Sequence, residues 1–357
     1  MKGKNKPMTG FSRRKFLGSS AAVAALSVIP GKFSPGNAAK LLTDNKPDST
    51  FGGVQVGAIT YCWRSMPGGV ENIIRYCQEA GISTIELMSN DLEEYLGSPK
   101  NPMMGFFGPP PGGAKPGTNP PAGNPPAAGF KPPKLTPEQE AAIAKYKDEV
   151  KAWRLAQPMS SFEAARKLFN DAGITVHIVK FSPAKWSDEE IDYAFNAAKA
   201  MGALGVTDEL GEEAVKRLAP FAEKHGMYAI FHTHMQFAQP GFSYDPFMAV
   251  SPAVRFNFDA GHFFGSTGIH PNKIVEKYHD RIVSIHIKDK TGPHTDPANT
   301  NQVWGQGEMP LADLLLLLKK EKWPIYADVE LEYDIKPWSN AAREVKTCLQ
   351  FARQILI

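Results

Sequence analysis

VRFNFDAGH (254–262) and RIVSIHIKD (281–289) are two apolar, β-branched or aromatic runs separated by a segment of helical length. Each reads as a strand buried on both faces of a parallel sheet, and each ends in side chains able to bind a metal or move a proton. The same pattern extends in both directions. Strand-like runs fall at 54–61, 83–87, 175–180, 205–209, 227–232, 254–259, 282–288 and 325–330. Helical patterns lie between them at 70–80, 161–172, 188–201, 212–225, 244–250, 272–278, 311–320 and 340–354. Ala80-Gly81-Ile82 and Ala172-Gly173-Ile174 each end a helix on glycine and enter a strand. Eight strand–helix pairs in roughly 300 residues predict an α/β fold of the (β/α)8 TIM-barrel class. No GxGxxG follows the first strand, which argues against an open dinucleotide-binding sheet.

Two segments break the rhythm. Residues 98–136 form an insertion after the second strand, with runs such as Gly108-Pro109-Pro110-Pro111-Gly112-Gly113 that suit neither helix nor central strand. It falls on the barrel face where active sites form, as a lid, a subunit contact or a surface excursion, and a polar helix follows from Pro137 to about Leu155. Residues 1–38 read as a leader: Ser12-Arg13-Arg14-Lys15-Phe16-Leu17, then an apolar run to Pro30. Its adjacent arginines resemble the twin-arginine export signal, so a periplasmic or otherwise exported protein is expected, with a linker at 39–52 and the barrel at 53–357. The apolar core of roughly fifteen residues is shorter than a membrane span needs, so no stable membrane insertion is expected once the leader is removed.

The 357 residues carry a formal charge of +3. Seven basic residues and no acidic one lie in the leader; without them the balance turns to about −4, which speaks against a nucleic-acid partner. Cys62, Cys77 and Cys348 show no CxxC spacing, which suggests buried thiols or at most one bridge rather than a thiolate metal site.

The chemistry is expected at the strand ends, which converge on one mouth. His232, Asp259, His286 and Glu330 stand one per successive strand, and this pair of imidazoles and pair of carboxylates suits one divalent ion: Mn, Co, Zn, Fe or Mg. Strand alternation places His234 with His232 and Glu332 with Glu330. Glu86, Lys180, Tyr61, Arg64 and Trp304 are further candidates for lining a substrate pocket, Glu86 also for supporting a metal ligand. Glu209 is another carboxylate near the mouth, Trp304 is expected to cross it, and Glu332 to face solvent or a neighbouring subunit.

Asp-Ala-Gly-His at 259–262, the run at 281–289, Trp304-Gly305-Gln306-Gly307-Glu308 and Glu330-Leu331-Glu332 together resemble the sugar phosphate isomerase/epimerase family. This xylose-isomerase-like group also includes inosose dehydratases, 3-dehydroshikimate dehydratases and type IV apurinic endonucleases. The resemblance covers residues 53–355 apart from the insertion. It implies a Glu-Asp-His-Glu metal set, whose last three members match Asp259, His286 and Glu330, and a substrate-contacting histidine, which matches His262. His232 departs from the pattern, standing where many members carry glutamate; some dehydratase-like members have His-x-His there.

That departure removes the symmetrical pair of glutamates used in the family to move a proton between the faces of an enediolate. A single base (Glu330, or His234 if neutral) with an acid such as His262 or Lys288 supports isomerisation. The same groups support elimination from a keto sugar. The resemblance thus implies a metal-dependent enzyme enolising a small-molecule carbohydrate, of isomerase/epimerase type, and by analogy a homo-oligomer. A lyase or dehydratase releasing water or a glycosidic leaving group is the alternative, and export favours it somewhat because sugar phosphates are cytoplasmic. Phosphodiester cleavage of damaged DNA is disfavoured by charge and leader, and a non-catalytic sugar-binding barrel is a further reading.

Overall fold

The computed structural model describes residues 46–102 and 135–357; the leader and most of the Pro/Gly-rich insertion lie outside the described residues. Eight parallel strands form the barrel: β1 (Val54–Ile59), β2 (Thr84–Met88), β3 (Thr175–Lys180), β4 (Gly205–Glu209), β5 (Tyr228–His232), β6 (Val254–Asp259), β7 (Ile282–Ile287) and β8 (Tyr326–Val329). Each pairs with its neighbour in sequence, and β1 pairs with both β2 and β8, which closes the cylinder. The expected (β/α)8 fold is the observed one. A short antiparallel arm, Thr50–Phe51, extends β1 at its start.

The helices are α1 (Val70–Ala80), α2 (Ser89–Tyr95), α3 (Pro137–Ala156), α4 (Met159–Asp171), α5 (Asp188–Ala200), α6 (Glu212–His225), α7 (Asp245–Met248), α8 (Ala260–Thr267), α9 (Asn272–Tyr278), α10 (Leu311–Glu321) and α11 (Ala341–Leu356). Glycine ends α1: Gly81 sits at φ 89° and returns its N–H to Cys77 O, a left-handed position that β-carbon-bearing residues resist. Capping boxes start α3 (Thr136 with Gln139) and α5 (Ser187 with Glu190). Two short helices depart from the sequence reading, α2 and α8. The second follows Asp259 at once, and that carboxylate caps it by accepting from His262 N at 2.7 Å. Its glycines, serine and threonine are weak helix formers, so the cap and its packing, not propensity, hold it. Strands β1, β7 and β8 end earlier than expected, leaving Tyr61, Lys288 and Glu330 just beyond them, on the segments that leave the barrel.

Apolar side chains fill the layer between barrel and helices, while the inside of the barrel is unusually polar. Thr84, Glu86, His177, Asn257, Ser284, His286 and Asp328 are all buried. His177 bridges Thr84 Oγ1 (2.9 Å) and Asp328 Oδ2 (2.9 Å), its ring stacked on Tyr326. Asp328 fits because residue 57 is glycine; a β-carbon there would collide with Asp328 Oδ1. All three cysteines are buried and free, with Cys62 pushed up by burial to about 12. Among the described residues, no helix is long and apolar enough to cross a membrane.

Helix α3, which follows the insertion, is held to the barrel by one buried cation. Arg154 meets Glu93 of α2 twice (2.8 and 3.1 Å) and Glu190 of α5 (3.2 Å), and its guanidinium lies 3.5 Å above the Trp186 ring. Tyr193 also donates to Glu93. Removing one member of such a buried pair strands the other's charge, which costs about 3–5 kcal/mol. Arg154→Met should therefore lower the urea midpoint strongly, and adding Glu93→Gln should recover part of the loss; equal midpoints for Arg154→Met and the parent would refute this account.

Candidate metal centre at the barrel mouth

Four consecutive strands deliver the candidate ligands. His232 ends β5, Asp259 ends β6, His286 lies one residue before the end of β7, and Glu330 follows β8 directly. Strand register sets their height, since Asp259 pairs with His286 and His286 with Asp328. One ligand atom from each of the four lies within 4.8 Å of the others, and all four residues are buried. His232 Nε2 is 3.8 Å from Asp259 Oδ2, and His286 Nδ1 is 2.9 Å from Glu330 Oε2. Asp259 Oδ2 and Glu330 Oε2 face the Lys288 ammonium, Glu330 Oε2 also faces His286 Nδ1, and among the described residues no hydrogen bond reaches His232 Nδ1. Two imidazoles and two carboxylates, buried and brought this close, form a donor set that fits a divalent ion.

The surroundings fix these groups in place. Glu86 and Asn257 sit below His286: Glu86 Oε2 is 2.7 Å from His286 Nε2 and accepts from Asn257 Nδ2 at 2.6 Å. Holding Nε2 from below aims Nδ1 toward the other ligands. The backbone on both sides of Glu330 is clamped. Cys62 Sγ bonds Val329 O and Leu331 N (3.2 Å each), Arg64 donates to Leu331 O (2.8 Å), and Glu330 N donates to Ile287 O (3.1 Å).

Burial and neighbouring charge set the protonation states. Burial lowers His232 well below the usual imidazole range, and Lys180 adds to the effect. For His286 burial acts the same way but is overcome by Glu330 and Glu86, which hold it well above that range. Burial would raise Glu330, yet Lys288 and His286 keep it well below the carboxylate range.

Around this centre stand the other candidates. His262, in the first turn of α8, places Nε2 3.7 Å from Asp259 Oδ2 and 3.6 Å from Glu332 Oε2. Burial, with Lys288 and Lys290, lowers its pKa well below the ordinary value. His234 lies at the rim, its ring 4.4 Å from His232 and 5.1 Å from His262. Glu209 Oε2 lies 3.1 Å from His234 Nδ1 and raises its pKa, while Glu209 Oε1 takes Lys180 Nζ at 2.8 Å. Lys288 Nζ lies 2.8 Å from Asp259 Oδ2, 2.6 Å from Glu330 Oε2 and 2.7 Å from Glu332 Oε2.

Several candidates stand elsewhere than expected. Glu332 is buried in that cluster rather than facing solvent, because Lys288 draws it inward. Glu86 is fully buried beneath His286, where it bonds that candidate ligand, one of the two places expected for it, and does not line an open pocket. Arg64 spends its guanidinium on the Tyr61 and Leu331 carbonyls and on the Tyr61 ring, 4.2 Å away. Trp304 does not cross the mouth. It packs against Phe351 of α11, because the Asp289 carboxylate gathers the amides of Gly305, Gly307 and Met309 and turns the loop that way. Asn257 was not singled out from the sequence, although it lies two residues before Asp259 and so faces the same side of its strand. A cavity of about 760 Å³ lined by Lys185, Asp208, Glu209 and Arg217 touches the site only through Glu209.

The model of the xylose isomerase-like TIM barrel family matches residues 161–354. Among solved structures, the chain is similar to a xylose isomerase domain protein from Alicyclobacillus acidocaldarius (14% identity, 85% of this chain and 99% of that one, TM-score 0.54). It is similar also to the probable 3-DHS dehydratase AsbF of Bacillus anthracis, involved in petrobactin synthesis (13%, 83% and 98%, TM-score 0.53). A third is an uncharacterized protein from Parabacteroides distasonis (18%, 85% and 99%, TM-score 0.51). At such identities the likeness is one of fold. No curated protein matches the chain. The family model spans more than half of the residues, and the chain belongs to the xylose isomerase-like TIM barrel family.

Proposed function

We propose that this chain is a divalent-metal-dependent enzyme that enolises a carbohydrate beside its carbonyl, with an isomerase or epimerase outcome. The observation that carries the reading is the convergence of four buried side chains, His232, Asp259, His286 and Glu330, with one possible ligand atom from each within 4.8 Å of the others. A divalent ion held there would polarise a substrate carbonyl and make the adjacent C–H more acidic. The chain's own groups do the rest. His262 and Glu330 stand beside the centre as candidate proton acceptors, and His234, held toward its protonated form by Glu209, is suited to return one. Lys288 binds its proton too tightly to act as an acid near neutrality and instead neutralises carboxylates.

One feature favours elimination as the second reading. With His232 in place of a carboxylate, the two faces of the enediolate meet different groups, which suits removing a proton on one side and releasing a leaving group assisted by His234 at the rim. The AsbF structure carries a dehydratase name. Both readings predict deuterium uptake beside the carbonyl when the metal-loaded protein is incubated in heavy water with a panel of free and keto sugars. An unchanged product mass, apart from deuterium, marks isomerisation, and a new enone absorbance marks elimination. Binding of a sugar without any uptake across the panel would instead favour a binding barrel.

Support for His286 is separately testable. Glu86→Gln should weaken binding of Mn2+, Co2+ or Zn2+ by about 10–100-fold, the usual effect of removing a ligand's hydrogen-bond partner. An unchanged dissociation constant in calorimetry would refute that role. The leader at 1–38 supports export by the twin-arginine route. A reporter fused behind it should reach the periplasm, and replacing Arg13 and Arg14 by lysine together should retain it in the cytoplasm; export of the double variant at the parent rate would count against the route.

A further inference from the structure

We propose that Lys288 is the resident counter-cation of the metal centre: its ammonium holds Asp259, Glu330 and Glu332 together, and withdraws to Glu332 when a divalent ion binds. The inference rests on the metal reading above and adds two residues, Lys288 and Glu332, that set the affinity of the site.

Asp259, Glu330 and Glu332 are all buried, and their closest oxygens lie within 2.8 Å of one nitrogen. Without that nitrogen, three carboxylates would repel one another in a poorly solvated space where Coulomb interactions are strong. Two of the three oxygens, Asp259 Oδ2 and Glu330 Oε2, belong to carboxylates of the candidate ligand cluster. A divalent ion and the ammonium therefore draw on the same two carboxylates, and two cations brought together there repel.

The third oxygen offers the way out. Glu332 is not one of the four clustered donors, yet it lies 2.7 Å from Lys288 Nζ. Rotation about the flexible lysine stem would move the ammonium off the shared oxygens without exposing it to an uncompensated site. The structure makes room for that stem. Gly261, between Asp259 and His262, faces Lys288, and a β-carbon there would collide with Lys288 Cγ and approach its carbonyl oxygen to 2.9 Å. The glycine of Asp-Ala-Gly-His is thus what lets the lysine lie across α8 and reach the carboxylates.

The test is calorimetric titration of the full-length protein and two variants with Mn2+, Co2+ and Zn2+ alone, alongside melting of each protein with and without ion. Lys288→Met removes the competitor and should bind the ions on the order of tenfold tighter or more. Its metal-free form should melt well below the parent, and saturating ion should close most of that gap. Glu332→Gln removes the lysine's refuge, leaves the four ligands intact, and should bind the ions on the order of tenfold more weakly. If the metal-free Lys288→Met protein does not fold, Glu332→Gln still decides the matter. Parent binding with Lys288→Met equal or weaker, or with Glu332→Gln unchanged or tighter, would overturn the counter-cation. Absence of binding in the parent and both variants would overturn the metal reading and this inference together, whereas binding by Lys288→Met alone would support both.

Discussion

Three buried carboxylates meet one ammonium at the barrel mouth, and much of the mouth is built around that contact. Asp259, Glu330 and Glu332 are each less than a tenth exposed, and desolvating such groups costs several kcal/mol apiece unless positive charge stands close by. One strand and its exit supply it. His286 and Lys288 are two residues apart and face the same way, one between Glu86 and Glu330, the other among all three carboxylates of the mouth. The alternation that makes a strand a strand here stacks an imidazole and an ammonium at two depths of one barrel.

Beneath them, the barrel interior departs from the apolar layers such barrels usually carry. His177, Thr84 and Asp328 form one bonded group, and Glu86, Asn257 and His286 form another directly above it. A buried polar group is tolerable when its partners are present, and a network of them holds each ring in one orientation. The His286 ring is therefore aimed by residues buried beneath it. The backbone grips on Val329 and Leu331 do the same for Glu330, which sits on a segment that no longer belongs to the sheet and would otherwise be free to swing.

The eight strands were readable because each is an apolar run long enough to span the barrel and bounded by helical patterns or glycine. The four clustered donors were readable for the same reason: once the strands are placed, period two says which residues point to the mouth. What could not be read depends on contacts between distant segments. Nothing local marks Cys62 as a clamp on β8, 267 residues away, or ties Trp304 to Phe351. Glu332 looked like a rim residue because its burial depends on a lysine 44 positions earlier. Helix α8 was missed since its composition argues against a helix and its cap is a residue already claimed by the site.

His234 and His262 show how little the identity of a residue fixes its role. Their rings lie 5.1 Å apart and each faces a carboxylate, yet the pKa of one is raised and that of the other lowered. The difference lies first in the burial of His262, which also faces Lys288 and Lys290, and in the hydrogen bond that Glu209 accepts from His234. Glu209 meets Lys180 through Oε1 and leaves Oε2 for His234 at 3.1 Å, whereas the Glu332 oxygen nearest His262 is 3.6 Å away and already bound to Lys288. His234 is also partly open to water, while His262 is buried and looks onto two lysines. The sequence, which offers His262 as the acid and His234 as a base when neutral, cannot weigh these neighbours. What separates the two rings is burial and the neighbours each meets, Glu209 for His234 and two lysines for His262.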